Sequence, residues 1–87
     1  MRTFTLDDLR RIIRQCAGED DSTGLDADDI LDVDFVDLGY DSLALLETNN
    51  CVSREFGVSL PEEELTEVQT PGAFITLVNQ HLARQRV

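Results

Sequence analysis

Ser42 is the residue of this chain whose type and setting point most directly to chemistry. It stands in the run Phe35-Val36-Asp37-Leu38-Gly39-Tyr40-Asp41-Ser42-Leu43-Ala44-Leu45-Leu46-Glu47, where an acidic segment gives way to an apolar helical pattern. This position predicts a serine hydroxyl exposed at the start of a helix. The unpaired N–H groups and the positive dipole end of a helix N-terminus favour an anion, so the serine is suited to carry a phosphoryl-linked group. Nearby Asp37 and Asp41 would oppose this by only about 1 kcal/mol or less, because exposed charges interact weakly in water.

The same serine has a simpler interpretation, in which it only caps the helix. Serine is a preferred N-cap residue, and an isolated Asp-Ser before an apolar helix usually has that structural role. Attachment of a phosphoryl-linked group would be done by another enzyme, which supplies the magnesium ion and the base. The chain therefore needs neither near Ser42, and its sequence offers neither there.

Other catalytic and metal-binding patterns fail on residue type or spacing. A serine hydrolase needs a G-x-S-x-G elbow, which residues 39–43 lack, and His81 is the only histidine that could act as a base. We expect His81 to be structural or solvent-facing on the flank of the last helix. EF-hand loops starting at Asp32 or Glu19 lack a required ligand or glycine. With no glycine-rich phosphate loop and no cluster of zinc ligands, the sequence predicts no catalytic residue and no metal site.

The charge of the chain excludes one class of partner. Its net charge is −11, and residues 19–41 contain ten acidic residues and no basic one. Nucleic acid binding is therefore disfavoured, because contacts with phosphates need lysine and arginine. The acidic field is expected to steer the chain toward basic patches on partner proteins, although acidity could also serve solubility alone.

Composition and cysteine usage predict a cytoplasmic protein with no membrane association. The chain is 41% hydrophobic but has no apolar stretch near the ~20 residues of a membrane span, and its N-terminus lacks the apolar region of a signal peptide. Cys16 and Cys51 have no CxxC spacing and are too few for a disulfide scaffold. We therefore predict free thiols in a reducing compartment, with Cys51 an inert one.

Helix signals occur at several places along the chain. Thr5 and Asp8 form a capping box before apolar residues that recur at helical spacing until Gly18, with three arginines on the opposite, solvated face. A second helix is predicted from Asp41 or Ser42 to Phe56, before Gly57. A short helix begun by proline at 61–65 and a last helix starting at Thr70-Pro71 follow, the latter burying Phe74, Ile75, Val78 and Leu82.

The segment between the first two helices is long but carries apolar residues throughout residues 19–40. A structureless loop of this length is unusual in a compact domain, so we expect it to be ordered against the core, with one helical turn around residues 28–31. The sequence therefore predicts an all-α fold. It is a small four-helix bundle, three main helices plus one short helix, with a long ordered loop between helices one and two, in a single domain over residues 1–87.

The faces of the second helix separate core residues from exposed ones. At about 100° per residue, one broad face carries Leu45, Leu46, Val52 and Phe56, and the other carries Leu43, Ala44, Glu47, Cys51 and Arg54. Leu43 thus lies off the core face, as a docking residue or as an ordinary exposed leucine. Asn49 falls on the inward side, where its amide must be hydrogen-bonded or hydrated.

Taken together, these motifs resemble acyl carrier proteins. The shared positions extend over nearly the whole chain: Leu6-Asp7-Asp8-Leu9, Phe35, Leu38-Gly39, Asp41-Ser42-Leu43, Glu47, Glu55-Phe56-Gly57-Val58, Leu60-Pro61 and Thr70-Pro71. Aspartate directly before the serine is typical of acyl carriers, whereas peptidyl carriers usually have Gly-Gly-His/Asp-Ser. Residues 39–48 and the Cys16-Ala17-Gly18 exit from helix one resemble the discrete carriers of bacterial aromatic (type II) polyketide synthases more than fatty acid carriers.

The resemblance implies a carrier subunit without turnover of its own. Ser42 would hold a 4'-phosphopantetheine arm from coenzyme A, on which malonyl units and the growing poly-β-ketone chain are tethered as thioesters. The implied partners of this monomer are a phosphopantetheinyl transferase, a malonyl transferase, a ketosynthase with its chain-length factor, a ketoreductase and cyclases. Asp41, Leu43 and Glu47 would contact them.

Asn49 and Asn50 depart from the family pattern, because aromatic polyketide carriers commonly have small apolar residues there. We expect Asn49 to bond to the backbone of the long loop, with contact to a ketone-bearing chain as the alternative. Two other functions stay open at this point. One is a fatty acid synthase carrier, and the other is an acidic helical adaptor that binds proteins without any prosthetic group.

Overall fold

A computed structural model of the chain describes residues 3–16 and 30–84. Within these ranges it contains four helices and no strand: α1 (Leu6–Cys16), α2 (Ser42–Phe56), α3 (Glu62–Leu65) and α4 (Pro71–Arg84). The predicted all-α fold of three main helices and a short one is confirmed. The expected end of α1 at Gly18 and the first half of the expected turn at 28–31 lie outside the described residues. None of the described helices has the length and apolar character needed to cross a bilayer.

Local signals set the helix ends. The capping box predicted for α1 is present, because the Thr5 backbone N–H donates to Asp8 Oδ2 (3.1 Å) and the Asp8 N–H donates to Thr5 Oγ1 (3.2 Å). Gly57 ends α2 with φ 75°, and its N–H donates to the Ser53 carbonyl. That left-handed conformation carries little strain only for glycine. Pro61 directly precedes α3 as its N-cap instead of being its first residue.

The core is aromatic at its centre and joins α1, α2, α4 and the loop before α2. Phe4 packs edge-on against Phe56 (centroids 5.1 Å apart), and Phe35 packs edge-on against Phe74 (6.2 Å). Such edge-to-face pairs add about 0.5–1.5 kcal/mol to the burial of the rings. The aliphatic side chains that surround them are fully or almost fully buried: Leu9, Ile12, Ile13, Ile30, Val52, Val58 and Val78.

The described end of the long loop is ordered against the core, as predicted. Ile30, Phe35, Leu38 and Tyr40 are buried. Two backbone bonds connect this segment to the region before and at the start of α4, from Phe35 N–H to the Gln69 carbonyl (2.7 Å) and from Gly72 N–H to the Leu31 carbonyl (3.0 Å).

Two apolar residues of this segment face solvent instead of the core. Leu31 is 42% exposed and Val36 is 78% exposed. The backbone turns that bury Phe35 and Leu38 leave Val36 directed outward between them, which the apolar character of the segment alone could not indicate.

The prediction of free cysteines is wrong. Cys16 at the end of α1 and Cys51 on α2 form a disulfide, with Cα atoms 6.7 Å apart and a sequence separation of 35 residues. The antiparallel packing of α1 on α2 brings together two thiols that no spacing motif relates. Cys51 is accordingly half-buried against α1, not a free thiol on an outer face.

The face of α1 that carries arginines is also not simply solvated. Arg11 makes a bidentate contact with Glu55 on α2, with Nη1 to Oε1 at 2.8 Å and Nη2 to Oε2 as the second bond. The hydrogen bonds that Arg11 donates to the Glu55 carboxylate raise the pKa of Arg11 above its ordinary value. This pair and the disulfide both join α1 to α2, the helix that begins at Ser42.

Candidate functional site

A tight turn delivers the chain to the start of α2. The Leu38 N–H donates to the carbonyls of Asp34 (3.2 Å) and Phe35 (3.0 Å), and the Tyr40 N–H donates to the Phe35 carbonyl (2.9 Å). Gly39 has φ 93°, which favours glycine there because a side chain would strain the backbone. With Leu38 and Tyr40 buried on either side, this turn fixes where the next residues emerge.

Asp41, not Ser42, is the N-cap of α2. Its backbone is extended (φ −96°, ψ −175°), and its Oδ1 accepts a hydrogen bond from the Ala44 N–H at 2.9 Å. The cap interpretation of Ser42 is therefore wrong, because its neighbour performs that role. Ser42 is the first helical residue, is exposed, and contributes its hydroxyl to none of the hydrogen bonds among the described residues.

Within residues 3–16 and 30–84, the first two backbone N–H groups of α2 have no hydrogen-bond acceptor. The first intrahelical bond of α2 runs from Leu45 N–H to the Asp41 carbonyl (3.1 Å), so the N–H groups of Ser42 and Leu43 precede the helical ladder. Donors in this position, together with the helix dipole, suit an anionic group attached to the serine oxygen.

A groove of about 620 Å³ opens directly beside Ser42. It lies between the turn before α2, the first two turns of α2, and α3 with the residues that follow it. Its apolar lining comes from Phe35, Val36, Tyr40, Leu45, Leu46, Leu65 and Val68, and its polar lining from Asp34, Asp37, Asp41, Ser42, Glu62, Thr66 and Gln69. This volume is within the range of small-molecule pockets, about 300–1,000 Å³. An apolar chain anchored at Ser42 could lie along its floor.

Three residues expected to contact partners surround Ser42. Leu43 is 61% exposed, which confirms that it lies off the core face, and Glu47 is exposed one turn further along α2. Asp41 is exposed too, but its side chain caps the helix, so a change there would alter the helix start as well as the surface charge.

Leu46 does not belong to the core, contrary to the helical-wheel prediction. It is 38% exposed and lines the groove together with the half-buried Leu45. The inward side of this part of α2 faces an open groove instead of another helix. The core position nearby is taken by Thr48, whose hydroxyl bonds to the Ala44 carbonyl at 2.8 Å and is thereby satisfied within the helix.

Asn49 is not among the residues that line the groove. It is half-buried, and its Nδ2 donates to the Leu60 carbonyl at 3.3 Å, in the connection between α2 and α3. The expected bond to the loop before α2 is absent from the described residues, among which Asn49 Oδ1 has no partner. The structure thus supports a structural role for Asn49, with a different partner from the one predicted.

Sequence reasoning missed the far wall of the groove. Leu65, Thr66, Val68 and Gln69 were not recognised as site residues, because they lie more than twenty residues after Ser42. Only the spacing of Leu65 and Val68, three residues apart, hinted at a shared face. What they face is decided by the packing of α3 beside α2.

Comparison with known proteins identifies the family of this chain. The profile of the phosphopantetheine attachment site matches residues 7–78. The chain is 54% identical to the monensin polyketide synthase acyl carrier protein of Streptomyces virginiae, covering 99% of this chain and 96% of that protein. It is 48% identical to the actinorhodin polyketide synthase acyl carrier protein of Streptomyces coelicolor, covering 92% of both.

A solved structure shares the fold. The solution structure of the 3-oxo-butyl form of the actinorhodin carrier from Streptomyces coelicolor, described as an intermediate mimic, has a TM-score of 0.84 at 44% identity and covers 97% of this chain and 96% of that one. Similarity therefore extends over almost the whole chain. The chain belongs to the phosphopantetheine attachment-site family, among the acyl carrier proteins of polyketide synthases.

Proposed function

We propose that Ser42 carries the 4'-phosphopantetheine arm and that the chain serves a polyketide synthase as its acyl carrier. The observation that carries this proposal is the exposed hydroxyl of Ser42 at the first position of α2, beside a groove with an apolar floor. Asp41 takes over the capping, so the Ser42 oxygen can be modified without loss of the helix start.

The residues around Ser42 fit the group. The N–H groups of Ser42 and Leu43 can donate to a phosphodiester on the serine oxygen, and the exposed setting gives a transferase access to the hydroxyl. When bound, the arm supplies a terminal thiol that holds acyl chains as thioesters. The chain itself performs no turnover in this proposal; Ser42 is an attachment point and not a nucleophile toward the cargo.

The groove gives the carrier a means of covering its cargo. Phe35, Leu45, Leu65 and Val68 offer an apolar surface to a returning chain, while Gln69 and Thr66 place polar groups beside it. A poly-β-ketone chain alternates carbonyl and methylene groups, so a lining of both kinds suits it better than a purely apolar tunnel would. Burial in the groove would keep reactive ketones away from water and from each other.

The proposal of partner enzymes rests on the charge and the exposure of the residues around Ser42. Exposed Leu43 and Glu47 lie on the side of α2 that an incoming enzyme must approach to reach Ser42, and Asp37 and Asp41 add negative charge there. Polyketide synthase enzymes with basic surfaces fit this region. We include among them the phosphopantetheinyl transferase, malonyl transferase, ketosynthase with its chain-length factor, ketoreductase and cyclases, acting on a monomeric carrier in the cytoplasm.

The test of attachment is direct. The purified chain is incubated with coenzyme A, magnesium and a broad-specificity phosphopantetheinyl transferase, and the product is followed by intact mass and peptide mapping. We expect a single added arm, on Ser42. Ser59, which is also exposed but lies in the connection between α2 and α3, provides the matched control.

Two variants decide the assignment. Ser42→Ala should take up no arm while its unfolding curve stays within about 0.5 kcal/mol of the parent, since the residue neither caps nor packs. Ser59→Ala should be modified normally. Modification of Ser42→Ala, or mapping of the arm to another serine, would show that the site is assigned wrongly.

A further inference from the structure

The short helix α3 separates the groove from a second cavity. On one side, Leu65 and Thr66 line the groove beside Ser42. On the other, this second cavity, an open depression of about 340 Å³ at the surface, lies between α3 and α4, with Glu64, Glu67 and Leu77 in its lining. Val68 lines both spaces. The wall between them is therefore thin and has open volume on each side.

The helix α3 is not stable in this position without contacts to the rest of the fold. α3 has only four residues, and an isolated helix of one turn is unstable because nucleation costs more than one turn returns. Burial of Leu65 anchors one side of it. Glu62, Glu63 and Glu64 in its first turn complement the helix dipole, but they do not by that means fix the position of α3 relative to the main helices.

A side-chain hydrogen bond joins α3 directly to a main helix. His81 Nε2 on α4 lies 3.0 Å from Glu64 Oε2, and the side chain of His81 is 16% exposed. An ionised carboxylate can only accept, so Nε2 carries the proton and donates. The bond joins α3 to α4 on the side of α3 that faces away from the groove.

We propose that His81 is a positioning residue: it ties α3 to α4 and so sets how well the groove covers a medium-length acyl chain tethered at Ser42. This inference rests on the proposed function and deepens it. When the bond is lost, α3 can shift into the cavity beside α4, the groove widens, and the chain spends more time in water. A chain too short to reach Leu65 should not be affected.

The experiment compares two chain lengths on the same variants. The holo carrier is loaded with either an acetyl or an octanoyl group, and the rate of thioester cleavage by hydroxylamine is measured for each. His81→Leu removes the donor, His81→Gln retains one, and Glu64→Gln removes the charged acceptor. Glu63→Gln, on the same helix but outside both cavities, is the matched control.

We expect octanoyl cleavage to accelerate about two- to fivefold in His81→Leu and Glu64→Gln, in keeping with the strength of a partly exposed pair, while acetyl cleavage stays unchanged. His81→Gln should recover part of the protection, and Glu63→Gln should match the parent. Methyl resonances of Leu65 and Val68 should shift less on octanoylation in His81→Leu.

Several results would overturn the inference. An equal acceleration of acetyl and octanoyl cleavage would mean that His81 only stabilises the fold. An unchanged ratio in both His81→Leu and Glu64→Gln would mean that the pair does not position the wall, and an octanoyl group no better protected than acetyl in the parent would mean that the groove holds no cargo. Failure of Ser42 to accept the arm is a separate result, seen before loading, and would refute the proposed function.

Discussion

The Cys16–Cys51 disulfide should supply a large share of the stability of this carrier. The bond joins the end of α1 to the middle of α2 and closes a loop of residues separated by 35 positions, which contains the whole segment leading to Ser42. For a closed loop of this length the chain-entropy relation gives about 4 kcal/mol of stabilisation at 25 °C. A domain of this size has a free energy of unfolding of roughly 4–13 kcal/mol, so reduction removes a substantial fraction of it.

Urea unfolding followed by circular dichroism measures this contribution. With a slope of about 1–2 kcal/mol per molar urea, a loss of 4 kcal/mol lowers the midpoint by roughly 2–4 M. We expect this shift when the parent is treated with a phosphine reductant, and the same shift in Cys51→Ala without reductant. The Cys16→Ala, Cys51→Ala double variant is the control, and its midpoint should be indifferent to reductant.

The chemistry of the pair can be checked independently of stability. The denatured, unreduced protein should have no titratable thiol and should gain two hydrogens in mass on reduction. Two free thiols in that assay would refute the disulfide. If the bond is present but reduction moves the urea midpoint by less than about 0.5 M, the loop-closure argument is wrong for this chain. The enclosed segment of the unfolded chain would then have as little conformational freedom after reduction as before it.

Three further predictions concern the elements around the site. Asp41→Ala should lower the free energy of unfolding, measured by urea unfolding, by about 0.5–2 kcal/mol, because the α2 cap is lost. An effect no larger than that of Ser42→Ala would contradict the assignment of Asp41 as the cap. Gly72→Ala should lower the free energy of unfolding by about 1–3 kcal/mol in the same assay, because a Cβ atom there would lie 2.9 Å from the Leu31 carbonyl oxygen. An unchanged free energy of unfolding would show that the loop around Leu31 can move away at little cost. Glu47→Arg should slow association with a cognate ketosynthase and weaken its salt dependence in stopped-flow measurements; equal rates at low and high ionic strength would exclude this side of α2 from docking.

Much of the fold could be predicted from the sequence because its signals are local. The Thr5 and Asp8 pair specifies the start of α1, and Gly57 specifies the end of α2, through bonds between residues at most four positions apart. The acidic turn followed by an amphipathic helix likewise placed Ser42 at an exposed helix start. Local bonds depend little on the rest of the chain, so a single sequence reveals them.

Features that depend on distant residues were decided only by the tertiary structure. No spacing motif relates Cys16 to Cys51. Helical periodicity assigned Leu46 to the core because it cannot tell a groove from a neighbouring helix. Assignment of the cap to Asp41 instead of Ser42 depended on one backbone conformation. The sequence alone thus determined the helices and the serine that one of them presents. The packing of α1, α3 and α4 around α2 decided what surrounds that serine, because contacts across the bundle follow from the relative placement of helices and not from the pattern within any one of them.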